Sequence, residues 1–157
     1  MVKLNFPTYE FRIQENQQET SIYDPARRRY VKLTPEEWVR QHIVHYLYET
    51  KHFPLSLISV EKRIPYNRMY RRYDIVVSHT NTHPLLVVEC KAPSVPISED
   101  VFRQISTYNT TLHCEFLMVS NGLQNFCCRF NPEKQAYIFV SDLPDWGVLS
   151  NSKTLAL

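Results

Sequence analysis

Asp74, Glu89 and Lys91 are the residues whose types and spacing best suit chemistry in this chain. Each carboxylate adjoins an apolar stretch: Ile75-Val76-Val77 follows Asp74, and Leu85-Leu86-Val87-Val88 precedes Glu89. The spacing predicts strands over 72–79 and 85–91, split by Asn81-Thr82-His83-Pro84. A hairpin turn centred on Asn81-Thr82 sets Asp74 directly opposite Glu89, with Lys91 two residues on and therefore on the same face. Directly opposed side chains have Cβ atoms about 4.5–5.5 Å apart, and like charges there repel. Burying carboxylates is costly unless something compensates, and two together call for a cation. Ligation by one or two carboxylates suits Mg²⁺ (or Mn²⁺), which keeps waters and takes phosphate oxygens as its remaining ligands. Lys91 would then orient or activate a water, or offset charge on a phosphate. The plainer reading of the same residues is a structural Asp–Lys–Glu cluster at the end of a sheet.

Basic residues gather in two places. Residues 62–72 hold Lys62, Arg63, Arg68, Arg71 and Arg72 and no acid, and residues 27–32 hold Arg27, Arg28, Arg29 and Lys32. In a chain whose net charge is only +2, such clusters suggest a polyanion on one face, with solvated loops as the alternative. Arg63, Arg68, Arg71 and Arg72 are the candidates for backbone contacts to a nucleic acid. His42 and His45 share a helix three residues apart, but no H-E-x-x-H motif is present. They are expected at the surface or its boundary.

The elements that must position these residues alternate between the two periods. Thr34-Pro35-Glu36-Glu37 opens a helix, with Thr34 as N-cap, Pro35 at N1 and Glu37 completing a capping box. Its apolar face is Val39, Ile43, Tyr46 and Leu47, and it should reach about Thr50. Residues 8–14 alternate weakly, and 22–23 and 30–33 flank a turn at Asp24-Pro25. Strands are further predicted over 57–65, 115–120, 124–130 and 136–140. Ser98 caps a second helix to about His113, with a buried stripe of Val101, Ile105, Tyr108 and Leu112. The order implies an α/β or α+β domain with a mixed sheet. Residues 1–141 form that single domain, and 142–157 read as a loose tail with Trp146 as an anchor.

Composition removes several function classes. The 157 residues contain 2 glycines, where an average of about 7% would give roughly eleven. Neither G-x-G-x-x-G nor G-x-x-x-x-G-K-[ST] can be written with Gly122 and Gly147 alone, so no nucleotide cofactor is expected. Cys90, Cys114, Cys127 and Cys128 contain no C-x-x-C, which argues for reduced buried thiols in a cytoplasmic protein. Cys127 and Cys128 should point to opposite faces of one strand. No apolar run approaches the roughly 20 residues of a membrane span, and no membrane partner is expected.

Taken in order, these motifs resemble a known family. Asp74, followed by Glu89-Cys90-Lys91 at the end of an apolar strand, is similar to the core of the PD-(D/E)XK nucleases. More narrowly, the stretch from Ile22 to Val140 resembles the N-terminal nuclease domain of type I restriction enzyme R subunits. The similarity runs through Asp24-Pro25, Leu33 to Gln41, Tyr73 to Val77, Val88 to Pro93 and Asn121 to Gln124. It includes Gln104-x-x-x-Tyr108, similar to the Q-x-x-x-Y element of the RecB-like branch. Tyr73 stands where the superfamily name has proline, and the translocase of an R subunit has no counterpart in this stretch.

The resemblance implies a restriction-endonuclease-like mixed sheet flanked by helices, and Mg²⁺- or Mn²⁺-dependent hydrolysis of DNA. Asp74 and Glu89 would hold metal and Lys91 would serve the water. Gln104 and Tyr108 would assist from the second helix, and a carboxylate from the first helix would come near the metal. Helix geometry favours Glu36, seven residues before Ile43, over Glu37, which lies roughly 150° from the apolar face. A single-domain nuclease needs two sites to break both strands, so a homodimer is an expectation, though no heptad supports it. Two rival readings are a non-catalytic DNA-binding or assembly module on the same fold, and an interaction protein with a structural charge cluster.

Overall fold

Alternating apolar residues build a six-stranded sheet, and a helix packs across one face of it. The computed structural model describes residues 1–66, 69–79, 83–100 and 114–151. Three strands come first: β1 (Ile13–Glu15), β2 (Thr20–Asp24) and β3 (Arg29–Lys32), antiparallel in that order. Helix α1 (Pro35–His45) follows. The large sheet holds β4 (Ile58–Tyr66), β5 (Met69–Ser78), β6 (Pro84–Cys90), β7 (Phe116–Ser120), β8 (Asn125–Asn131) and β9 (Ala136–Val140) in sequence order. All neighbours are antiparallel except β6 and β7. A parallel pair needs a crossover rather than a tight turn, and residues 91–115 provide it. The second helix expected there shows its helical start at Glu99 and Asp100. Its remainder, with Gln104 and Tyr108, lies outside the described residues, as does Arg68.

Helix α1 starts where its cap dictates. The Thr34 hydroxyl accepts the Glu37 N–H at 3.1 Å, and Pro35 occupies the first turn, where no N–H is needed. The helix continues to Thr50 as a π-helical turn over Tyr46–Thr50. Val39, Ile43, Val44 and Leu47 are fully buried, each worth about 1.5–3 kcal/mol of apolar burial. Polar positions around the helix are buried as well. Glu37, Arg40, Gln41 and His42 are all nearly inaccessible; Arg27 meets Glu37 and Asp74 meets Arg40, while the N-terminal segment covers the His42 side. Phe11 stacks on Trp38 and His42, with ring centroids 4.9 and 4.6 Å apart. The weak alternation at 8–14 thus becomes a strand only from Ile13, and the preceding residues serve as a cover for the helix.

This two-sided burial corrects two expectations. His42 is a core residue rather than a boundary one, 4.2 Å from the Trp38 ring, with Nδ1 2.9 Å from the Trp38 carbonyl oxygen. Glu37 forms half a capping box through its backbone N–H, but its carboxylate turns inward to Arg27, Arg40 and Gln41.

The sheet has an apolar cluster on each face. Ile75, Val77, Leu86 and Val88 pack beneath α1 with Cys127. Tyr73, Val76, Val87, Leu117 and Val119 form the other cluster with Cys128. The two adjacent cysteines therefore do point to opposite faces, and all four are free and buried. Gly122 is required where it stands. It has φ +82°, and a Cβ there would meet the Leu4 side chain at 2.7 Å. Residues 142–151 do not stand off as a loose tail. Leu143 and Leu149 are buried in the main core, and Trp146 opens a short helix, α2 (Trp146–Asn151), with its ring 5.5 Å from Phe53. Among the described residues no helix is long and apolar enough to cross a membrane.

Candidate active site

Strands β5 and β6 pair in the register Ile75↔Val88, Val76↔Val87, Val77↔Leu86. That register sets position 74 opposite position 89, as the hairpin argument required. A bulge at Val77/Ser78 shifts the hairpin end by one residue, to Ser78↔Pro84.

The ladder stops at Ile75↔Val88, and at that fork the regular alternation of β5 fails. Tyr73 and Val76 belong to one face while Ile75 and Val77 belong to the other. In a regular strand, residues three apart point oppositely. The break falls beside Asp74, and the residue facing it across β4 is Glu61, with a left-handed φ of +53°. A non-glycine residue held there stores about 1–3 kcal/mol of strain, and such irregularities re-aim side chains next to functional sites.

Asp74 is re-aimed into the fork. Its Oδ2 accepts the Cys90 N–H at 2.8 Å, a donor that a regular ladder would have given to a β5 carbonyl. Its Oδ1 accepts from Arg40 Nη2 at 2.7 Å. The same Nη2 reaches Glu36 Oε1 at 2.9 Å, while Nη1 is bound to Glu37 Oε2. Burial works against the Arg40 charge, but Asp74 and Glu37 more than compensate and hold its pKa above the ordinary arginine value.

Glu89 and Lys91 close the other side. They follow Val87 at two-residue steps and so share its face of β6, and Lys91 Nζ lies 3.3 Å from Glu89 Oε1. The Lys91 N–H donates to the Ser120 carbonyl at 2.8 Å, which ties the end of β6 to β7. Burial pushes the Glu89 carboxyl upward, and the Asp74 charge pushes it further, against the pull of Lys91. The two carboxylates therefore interact. The register places them as expected, but their orientation differs from simple same-face opposition, because Asp74 lies in the gap between the strands.

Glu36 is about half exposed beside Asp74, linked to it through Arg40. Glu37 is buried and is likewise joined to Asp74 through Arg40, by the other guanidinium nitrogen. The basic residues divide. Strand β4 pairs with β5 as far as Tyr66↔Met69, well past the fork, so residues 62–73 form a two-stranded ribbon leading away from Asp74. On it Arg63 and Arg72 are directly opposed and exposed, although Arg72 also lies 3.4 Å from Glu61. Arg71 lies over the Tyr73 ring. Arg27, by contrast, turns inward. Its Nε meets Asp24 Oδ2 at 2.5 Å and its Nη1 meets Glu61 Oε2 at 2.8 Å, while Nη2 holds Glu37.

Sequence reasoning gave no role to Arg40 or Glu61, read Asp24 only as part of a turn, and counted Arg27 in a basic cluster. One signal was readable: Glu37, Arg40 and Gln41 stand at i, i+3 and i+4, so they share a helix face. No local pattern marks Glu61, whose part depends on a strand irregularity.

A six-stranded mixed sheet with one parallel pair, a helix across it and charged residues at the fork is a restriction-endonuclease-like α+β architecture. The model of one protein family, "Type I restriction enzyme R protein N terminus (HSDR_N)", matches residues 35–144, and the chain belongs to that family. Among solved structures, the chain is similar to a fragment described as an HsdR subunit of a type I restriction enzyme from Vibrio vulnificus YJ016, with a TM-score of 0.50 and 18% identity. The match covers 72% of this chain and 24% of that one, so the chain spans about a quarter of that relative. A search of curated proteins returns no significant match.

Proposed function

We propose that this chain is a metal-dependent DNA nuclease domain of the restriction type, hydrolysing phosphodiester bonds at the β5–β6 fork. The observation that carries the reading is the placement of Asp74 in the fork, interacting with Glu89 and facing the Lys91 end of β6. Family membership supports it.

The donor set suits a hard dication. Asp74 and Glu89 offer only oxygens, and each Asp74 oxygen keeps a lone pair beyond the bond it already accepts. Among the described residues no three acidic, histidine or cysteine side chains gather to enclose a metal. A two-carboxylate site completed by waters and phosphate is the kind that Mg²⁺ or Mn²⁺ uses. When bound, such an ion would lower the pKa of a water and polarise the scissile phosphate. Asp74 and Glu89 would hold it. Lys91 would orient the attacking water or offset charge building on the phosphate oxygens. Glu36 would tune the α1 side of the site. Gln104 and Tyr108 are proposed as assisting residues from the crossover. Arg63, Arg71 and Arg72, with Arg68, would seat the DNA backbone along the ribbon, and a homodimer would supply a second site for double-strand cleavage.

A second reading has an observation in its favour. Both carboxylates already have protein cations, Arg40 for Asp74 and Lys91 for Glu89, as a non-catalytic DNA-binding or assembly module would need. Titration with Mg²⁺ or Mn²⁺, followed by incubation with plasmid and linear DNA, separates the two. The nuclease reading expects a divalent site lost in Asp74→Asn and metal-dependent cleavage lost with it. DNA binding without either overturns it in favour of the module.

A further inference from the structure

Arg40 is charged and nearly inaccessible, and no step above uses it. Its guanidinium lies against three carboxylates: Nη2 at 2.7 Å from Asp74 and 2.9 Å from Glu36, and Nη1 against Glu37. Its place is fixed from behind. Asp24, at the end of β2, accepts the N–H groups of Ala26 and Arg27 at 2.8 Å each and binds the Arg27 side chain. Arg27 then grips Glu37, and Gln41 Nε2 reaches Glu37 at 2.9 Å. The relay Asp24–Arg27–Glu37–Arg40 thus runs from the β2–β3 turn through α1 to the Asp74 carboxylate.

We propose that Arg40 is a built-in counter-cation of the site, a positioning residue that holds Asp74 in the fork when no metal is bound and competes electrostatically with a divalent ion there. This rests on the reading that Asp74 and Glu89 hold such an ion. The charge distribution supports it. Asp24, Glu36, Glu37, Glu61, Asp74 and Glu89 outnumber Arg27, Arg40, Arg72 and Lys91, even when the charge that Arg71 exerts on Glu89 is included. A network with excess anions can take further positive charge. The cation nearest Asp74 sets how strongly it does so, because unit charges a few ångströms apart in a partly buried site interact strongly.

The test is a titration of Mn²⁺ alone into the full chain, read by the resonance of free Mn²⁺. Arg40→Gln should bind Mn²⁺ about tenfold or more tighter than wild type, and its melting temperature should rise more on adding Mn²⁺. Arg40→Lys, which keeps the charge, should stay within a few-fold of wild type. Should Arg40→Gln fail to fold, the double variant Glu37→Gln/Arg40→Gln removes both buried charges, leaves Arg27 and Gln41 a polar partner, and should show the same gain. A folded neutral variant that binds Mn²⁺ no tighter than wild type overturns the counter-cation while leaving the nuclease reading intact. Absence of Mn²⁺ binding in wild type and neutral variants alike overturns the metal reading itself.

Discussion

At the residue scale, Lys91 and Asp74 can be told apart. Lys91→Ala removes a cation and leaves both carboxylates, so metal and DNA should still bind while cleavage falls roughly 10²–10⁴-fold, as measured by single-turnover kinetics. Asp74→Asn should lose metal affinity together with cleavage. His42 gives a pH prediction away from the site. Burial among aromatic rings, with His45 nearby, lowers its pKa below the ordinary 6.5, against the pull of the Trp38 carbonyl. The unfolded chain therefore takes up the proton more readily than the folded one. The stability from keeping His42 neutral is complete above about pH 6.5 and is lost as pH falls from there through the lowered folded value. Melting temperatures between pH 8 and 5 should show wild type falling more steeply than His42→Gln. Equal slopes would contradict the buried assignment. The acidic pair and Lys91 were legible as residues, because charges beside apolar strands stand out. Arg40 was not, because a charge buried by another segment looks in sequence like a charge facing water.

At the element scale, period-two alternation and turn residues located every strand of the large sheet, and Thr34-Pro35 located the start of α1. The hairpin register at the site was read from a turn centred on Asn81-Thr82, and the pairing Ile75↔Val88 agrees with it, with a bulge at Val77/Ser78 nearer the turn. The re-aiming of Asp74 was not legible, since it depends on Glu61 adopting a left-handed backbone that glycine usually supplies. The ribbon beyond the fork carries its own prediction. Arg63 and Arg72 are like charges directly opposed, an arrangement that is mildly destabilising without an anion. Arg63→Glu/Arg72→Glu should weaken DNA binding and flatten the dependence of log Kd on log salt concentration by roughly two phosphate contacts. An unchanged slope would make the ribbon a solvated hairpin.

At the scale of the whole molecule, the larger of the two apolar clusters joins elements distant in sequence. Leu4 from the N-terminal segment, Val39 and Ile43 from α1, and Leu143 and Leu149 near the C-terminal end meet in the cluster above the sheet. A polar tail and a core segment were hard to distinguish from residues 142–157 alone, because two leucines six apart give little periodicity. Leu143→Ala should destabilise by about 2–5 kcal/mol in urea unfolding; a change near zero would restore the loose tail. The same core fixes α1 over β5 and β6, and so fixes the fork on which the functional account depends. The most direct measurement of that account is DNA cleavage by purified wild type and Lys91→Ala side by side, with Mg²⁺ or Mn²⁺ and with chelator. The expected result is metal-dependent strand breakage by wild type alone, with Lys91→Ala folded and still binding both metal and DNA. Equal cleavage by the two proteins, or none by a wild type that binds DNA, would contradict it.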